Sequence, residues 1–382
     1  MKRIFAVTLS LIALIVGLVL GIVGFGRKEV GEIAWGFLVP GYMFFAMTAA
    51  GAALVTLAPS LFGYEGRDGE LRSLRKLALW FAAGTLIPSW FLILLDLSNP
   101  GGFIYIFSGF NPDSRIAWMA ALYLTTFVVL VAELIYAIVK ESKEAEGVPK
   151  KAMGAIILTM IGTVVELMLV SNLSQVFGVI QTFPAWHGSY MVAIFISTSL
   201  VLGAAGMGLF GSLVMKGREK ERRFITSYYG KMLIAASLAL AFLLFWAFLS
   251  AYFDPMAWIS FKKMLDGSYS IAFWSAAFIG LVISPILAGI ALSRKSAASL
   301  MASSALSLIF GLTLLYLLII VPQTTFFEVI PGVVRETTYA IGTAEILIAL
   351  GGAFIWGALI ALGFILLPLL PEERARKLFI FK

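Results

Sequence analysis

Cysteine is absent from the 382 residues, and histidine occurs once, at His187. The first absence excludes disulfides, iron–sulfur clusters and thiolate metal sites within this chain. The second excludes haem held between two histidines of this chain. Charge is also scarce: Asp, Glu, Lys and Arg make up 13% of the residues, about half the share of an ordinary soluble domain. What abounds is apolar, with 61% hydrophobic residues and a mean hydropathy of +0.99. Such a chain is a polytopic membrane protein with little room for a water-soluble domain. Its net charge of +7 does not imply nucleic acid, because topology explains it. No phosphate loop, zinc spacing or nucleophile triad stands out, and Gly24-Phe25-Gly26 is not part of a dinucleotide fingerprint.

Ten apolar runs are long enough to cross a bilayer. They lie near 4–25, 34–62, 75–97, 115–139, 152–174, 188–215, 229–253, 271–293, 297–321 and 341–367. The first begins Met-Lys-Arg like a signal peptide, but it is too long and lacks a small-residue cleavage pattern, so it reads as a helix. Orientation follows from Lys and Arg. With the N-terminus inside, 22 of the 28 basic residues fall on inner segments and 6 on outer ones: Arg27, Lys28, Arg115, Lys262, Lys263 and Arg335. Both termini are then cytoplasmic, and the localisation is the cell membrane.

The two sides differ in character. Inner connections are short and charged. Outer ones, at 98–114, 175–188, 254–270 and 322–339, are long, apolar and rich in Pro, Gly and aromatics. The segment from Asp96 to Trp118 is the clearest case: Pro100-Gly101-Gly102 and Asn111-Pro112 break helix on either side of the greasy stretch Phe103–Phe110. An apolar outer face suggests a docked protein or a lipid-soluble ligand. Landmarks recur along the chain. Trp35-Gly36 with Tyr42 opens helix 2, Trp186-His187-Gly188 with Tyr190 opens helix 6, and the next helix ends at Asp96 or Asp254 in turn. Helices 2–5 and 6–9 therefore read as two four-helix bundles in one orientation, flanked by helices 1 and 10. The fold class is all-α, a single polytopic domain over 1–382. Its parts are helix 1 (1–33), the first bundle (34–151), its last helix with the outer loop (152–185), the second bundle (186–322), and helix 10 with a cytoplasmic tail (323–382).

Three carboxylates fall inside spans: Glu133, Glu166 and Glu345. An acid at mid-membrane costs roughly 2.5–3.5 kcal/mol on insertion scales and is a functional candidate by default. Glu166 is the most interior, and Thr159 and Thr163 share its helix face. It reads as a proton site, or else as a protonated acid bonded to a neighbouring helix. Glu133 is close enough to the inner surface for partial hydration, and Glu345 is close enough to Arg335 or Lys262 for neutralisation. Asp96 and Asp254 would accept hydrogen bonds from loop amides or pair with Arg115 or Lys262. His187 can bond a carbonyl and exchange a proton near neutral pH, or simply occupy the interface. The Gly and Ala patterns Ala13/Gly17/Gly21, Gly203/Gly206/Gly208/Gly211 and Gly351/Gly352/Gly357/Gly363 read as close-packing faces.

From Trp35-Gly36 through Tyr42-Met43-Phe44-Phe45, Ala50-Gly51, Asp96-Leu97-Ser98-Asn99-Pro100 and Phe110-Asn111-Pro112-Asp113-Ser114 to Trp118, the chain resembles the NrfD/PsrC family of quinone-interacting membrane subunits. Its ten helices resemble the DsrP/HybB-like branch. The resemblance covers about residues 34–136, and more weakly 186–203. It implies menaquinone or another quinone as cofactor, with no haem or iron–sulfur cluster in this chain. It also implies an extracytoplasmic four-cluster-type iron–sulfur subunit as partner, with further proteins of a redox complex and membrane lipid. On that basis His187, Trp186, Tyr42, Trp35 and Asp96 are expected at the quinone. Asn99, Phe103, Asn111 and Trp118 are expected in partner-docking loops; separately, the intramembrane position of Glu166 and Glu133, with Thr163 on the same helix face as Glu166, suggests a proton path. The chain departs from family usage twice. Asp-Leu-Gly-Arg-Pro becomes Asp-Leu-Ser-Asn-Pro, and Ala49 stands where some relatives carry His; His187 is the imidazole left to do that work. The alternatives are a secondary transporter, for which Pro40 and Pro285 would be mid-membrane breaks, or an anchor without a quinone site.

Overall fold

In hydrocarbon a chain can satisfy its backbone only by hydrogen-bonding to itself, so apolar runs of this length fold as helices. The structure, a computed structural model, describes residues 2–28, 33–64, 70–145, 153–188, 190–327 and 334–370. Ten helices in it are long and apolar enough to cross a membrane. They are α1 (Lys2–Phe25), α2 (Leu38–Leu57), α3 (Arg75–Asp96), α4 (Arg115–Ala145), α5 (Met153–Gly178), α6 (Tyr190–Val214), α7 (Glu219–Tyr252), α8 (Ser270–Arg294), α9 (Ala297–Gln323) and α10 (Thr343–Leu366). The expected starts and ends hold within six residues except at the start of α7. It begins at Glu219 rather than 229, because Glu219 to Arg223 continue the helix as a charged extension. The span α8 is not uniform: Ile279–Ile283 form a π-helical turn ahead of Ser284-Pro285. Pro40, by contrast, lies in the first turn of α2, where a proline costs the helix nothing. The all-α reading has one small exception, an antiparallel pair of strands, Thr325–Phe327 and Val334–Glu336, in the connection before α10.

Helices α2 to α5 close a ring in which each packs on the next and α5 returns to α2. Helices α6 to α9 close a second ring in the same way. The rings join through α2 against α6, and α1 pairs with α10 on the flank of α3. These are the two four-helix bundles and two flanking helices. Small residues allow the closest crossings. A Cβ on Gly17 would stand 2.7 Å from the Gly351 carbonyl, and one on Gly203 would collide with the Gly51 backbone. Gly357 departs from the expected packing face, since nothing lies within 4 Å of its would-be Cβ. Helix α1 turns Ile4, Phe5, Ile15 and Ile22 outward as a lipid-facing surface.

One end of the molecule carries Arg72, Arg75, Lys76, Lys140, Lys216, Arg218 and Arg294, and is called here the basic end. The other carries the aromatic connections and is called the aromatic end. Seven of the basic residues counted above, Arg67, Lys150, Lys151, Arg374, Arg376, Lys377 and Lys382, lie outside the described residues, as does the tail.

Candidate functional site

The aromatic end of the junction between the bundles is built on tryptophan. The rings of Trp35 and Trp186 stack 5.6 Å apart, and Phe177 meets both edge-on at 5.0 and 5.1 Å. Phe183 adds a fourth ring 4.6 Å from Trp186. Gln323, from the end of α9, accepts from the Trp35 amide at 2.9 Å and donates to the Trp35 carbonyl at 3.0 Å. The Trp186 ring is fully buried, and its N–H donates to the Leu318 carbonyl at 2.9 Å. Trp186 is therefore a wall of this site, with its one donor already used. His187 follows it at the surface: the ring is exposed, and Nε2 lies 2.8 Å from the Ile180 carbonyl.

Beside this cluster the second bundle opens into an apolar crevice. Asp254 ends no helix. It caps the short helix Pro255–Leu265, accepting from the amides of Met256 and Ala257 at 3.0 and 3.3 Å, as the loop-amide reading expected. That helix roofs a cavity of about 430 Å³ between α7, α8 and α9. Phe245, Phe248, Trp258, Phe273, Trp274 and Phe310 line it. The Phe310 ring lies against Gly280 in the π-helical turn, where no Cβ would fit; such turns recur at functional sites. Ala185, on the Trp186–His187 turn, packs with Ala251, Ala257 and Phe261, and with Phe248 and Trp258 from the crevice wall. The turn that carries the single histidine thus packs on the helix that roofs the cavity, an adjacency of segments about 70 residues apart that no spacing in the sequence announces.

The remaining expected residues lie in the first bundle. Tyr42 is buried near its aromatic end; its carbonyl accepts from the Ser89 hydroxyl at 2.6 Å, and Ser89 also meets the Tyr123 hydroxyl at 2.9 Å. Asp96 pairs with Lys28 at 3.2 Å. The expected partner, Arg115, opens α4 beyond the intervening loop, whereas Lys28 follows α1 directly and arrives beside the end of α3. Among the described contacts none joins Tyr42 or Asp96 to His187, so the expected quinone residues fall into two groups. Glu345 is also held differently from expectation. It accepts from the Tyr339 hydroxyl at 2.7 Å, from the Phe37 amide at 2.7 Å and from the Gly342 amide at 2.9 Å, which ties the start of α10 to that of α2. Burial and the bond to Glu345 push the Tyr339 phenol well above its ordinary range.

The loop residues Asn99, Phe103, Asn111 and Trp118 lie on an apron beyond α3. Pro100–Phe103 and Ile104–Ser108 form two short helical turns. Ile104, Tyr105, Phe107 and Phe110 are exposed there. The Trp118 indole donates to the Pro112 carbonyl at 2.8 Å and meets the Phe110 ring edge-on at 5.3 Å, so the apron is folded rather than loose.

The intramembrane acids of the first bundle lie on α4 and α5, and one of them, Glu133, joins a polar cluster toward the basic end. Glu133 is not hydrated: it is 1% exposed and pairs with Arg75 at 2.8 Å. Arg75 also donates to the Thr159 hydroxyl at 2.6 Å, and Thr159 donates to Glu133 at 3.3 Å. Thr163 stands apart, its hydroxyl donating to the Thr159 carbonyl. Glu166 is buried, and its Oε1 has no hydrogen-bond partner. Arg75 is the residue the sequence reading missed. It sits at the membrane boundary of α3, where a base is expected for topology alone.

These features can be set beside known proteins. The profile of the family described as "Polysulphide reductase, NrfD" matches residues 27–327, which takes in α2 to α9, both bundles, and leaves α10 outside. A selenate reductase subunit of Mesobacillus selenatarsenatis is 23% identical over 320 residues, covering 76% of this chain and 74% of that protein. With ten apolar spans in two four-helix bundles and a family match over most of its length, this chain is a multi-pass membrane protein that belongs to the NrfD family.

Proposed function

We propose that this chain is the quinone-interacting membrane subunit of a multi-subunit reductase-type complex. It passes electrons between a membrane quinone and an iron–sulfur subunit docked on its aromatic, extracytoplasmic end. The observation that carries the reading is the aromatic crevice, with the turn that carries His187 packed against its roof. The lining fits an isoprenoid tail, since its walls are almost wholly hydrocarbon and the cavity falls within the usual size of small-molecule pockets, about 300–1,000 Å³. A quinone bound there would supply two-electron, two-proton redox chemistry that this Cys-free chain has no group to perform.

The chain's own residues bind and orient. Phe248, Trp258 and Phe310 exclude water from the tail. His187 holds or moves a proton at the outer rim, its ring fixed by the Ile180 carbonyl. Trp35 and Trp186 hold that turn against α9 through Gln323 and Leu318. Asp96, at the end of the first bundle, borders the surface on which the partner would sit, and Tyr42 lies buried near that end. The exposed apron with Asn99, Phe103, Asn111 and Trp118 continues that surface. Support for a partner comes from the family and from the relative's name, which is that of a reductase subunit rather than of a whole enzyme.

The test is a purified complex assayed for extractable quinone and for quinol-driven electron transfer. We expect co-purified quinone, and a His187→Ala complex that assembles but transfers electrons about 10²-fold more slowly, the lower end of what a positioned proton-transfer group contributes. A complex without quinone or quinol activity would refute the function, while an unchanged rate in His187→Ala would remove only the histidine's role.

A further inference from the structure

The first bundle has a mouth at its basic end, and α8 and α9 of the second bundle carry no acid to match what lies behind it. A cavity of about 340 Å³ opens among the ends of α2, α3, α4 and α5. Thr56, Ser60, Tyr64, Arg72, Tyr136 and Lys140 line it, and Arg75 stands at its inner limit. Beyond Arg75 lies Glu133, whose Oε2 is held by that guanidinium and whose Oε1 is buried without a partner. Oε1 rests against α5 at Gly162, where a Cβ would stand 2.5 Å away. Glu166 is the next residue on that face of α5, about 5–6 Å further toward the aromatic end by one helical turn. Its own Oε1 is likewise unsatisfied. Two buried carboxylates, each with an oxygen that has no hydrogen-bond partner among the described residues, are costly to maintain in a membrane.

The corresponding depth of the second bundle is filled with hydroxyls. Ser284 of α8 lies 2.9 and 2.6 Å from the hydroxyls of Ser303 and Ser307 on α9. No Asp or Glu occurs between residues 270 and 323. Serine hydroxyls can pass a hydrogen bond along but cannot store a proton as a carboxylate does.

We propose that the first bundle is a one-sided proton inlet, loaded from the basic end, with Arg75 as its gate. When Arg75 turns toward the mouth it admits water, which gives a proton to Glu133 Oε1, buried until then. Protonation removes the negative charge that Arg75 pairs with and leaves the guanidinium on Thr159 and the mouth. Glu133 then passes the proton to Glu166, regains its charge and recaptures Arg75. Each transfer breaks one O–H bond and forms another, and Glu166 gives its proton up to water or quinone toward the aromatic end before it takes the next, so charge and atoms balance over the cycle. Gly162 is the clearance that lets Oε1 face α5. Arg75 is a positioning residue, since it holds the relay without carrying the proton. For coupling to electron transfer the inlet rests on the function proposed above; for proton conduction it does not.

The experiment uses the assembled complex in liposomes, with a pH dye on the basic side and a membrane potential imposed by potassium and valinomycin. The wild-type complex should take up protons above the level of empty vesicles. Glu166→Gln and Glu133→Gln should each lower that flux about tenfold or more, the scale of a lost proton-transfer group, while quinol-driven electron transfer persists. Gly162→Ala, which crowds Oε1 without removing an acid, should lower it as well and decides the matter if a Gln variant fails to assemble. Wild-type flux in any assembled variant, or no flux in the wild type, overturns the inlet. Flux without quinol activity would sink the redox reading and leave the inlet standing.

Discussion

Gly51 of α2 lies flat against Ser199 of α6, so close that any Cβ on the glycine would fall within the Ser199 carbonyl. The contact recurs one turn on, where Gly203 meets the Gly51 backbone, and the Ser199 hydroxyl donates to the Met47 carbonyl at 2.8 Å. This crossing is the seam between the two bundles.

The seam predicts a paired result. Gly51→Ala should destabilise the protein by about 1–3 kcal/mol or more, because a close-packed crossing cannot absorb an added methyl. Gly357→Ala, with open space around it, should be neutral. Thermal unfolding in detergent of the two variants beside the wild type would check this; equal midpoints would deny that the seam is tight.

Gln323 should matter more than its place at a helix end suggests. It is fully buried and forms hydrogen bonds with both backbone groups of Trp35, from 288 residues away. Gln323→Ala leaves the amide and carbonyl of half-buried Trp35 without this partner, at up to roughly 1–3 kcal/mol each. The variant should also loosen the Trp35–Trp186 stack, which a shift in tryptophan fluorescence would report. An unchanged spectrum and melting point would contradict the bridge.

Tyr339 makes a prediction in pH. Its phenol is held above the ordinary value of about 10 by burial and by the bond to Glu345. A proton retained more firmly in the folded state contributes stability that is complete below about pH 10 and is lost as pH rises through the folded value. The wild type should therefore exceed Tyr339→Phe in stability at neutral pH, and the gap should close as pH climbs past about 10. A gap that stays constant to high alkali would show that the phenol does not titrate with folding.

Much of the architecture is legible in the chain. Ten spans, their approximate ends and the pairing of bundles follow from apolar run length, from the Trp-Gly openings and from the Asp closings. The site was legible only in pieces. Trp35, Trp186 and His187 are marked by residue type, and the structure stacks Trp35 on Trp186, next to His187 in the chain. Tyr42 and Asp96 carry equal marks and stand elsewhere. Glu133 was read as hydrated because its distance from Lys140 along the helix is short. The burial comes from Arg75 and Thr159, on two other helices.

The sequence by itself determined that this chain crosses a membrane ten times, because a run of about twenty apolar residues meets the bilayer on its own terms, whatever its neighbours. Tertiary structure alone decided that Lys28 meets Asp96, that Gln323 grips Trp35, that Arg75 guards Glu133, and that a crevice opens beneath the helix Pro255–Leu265. The reason is rotational. Which face a membrane helix turns inward depends on the shapes of the helices beside it, and hydrocarbon on every side leaves that choice unwritten in any single span.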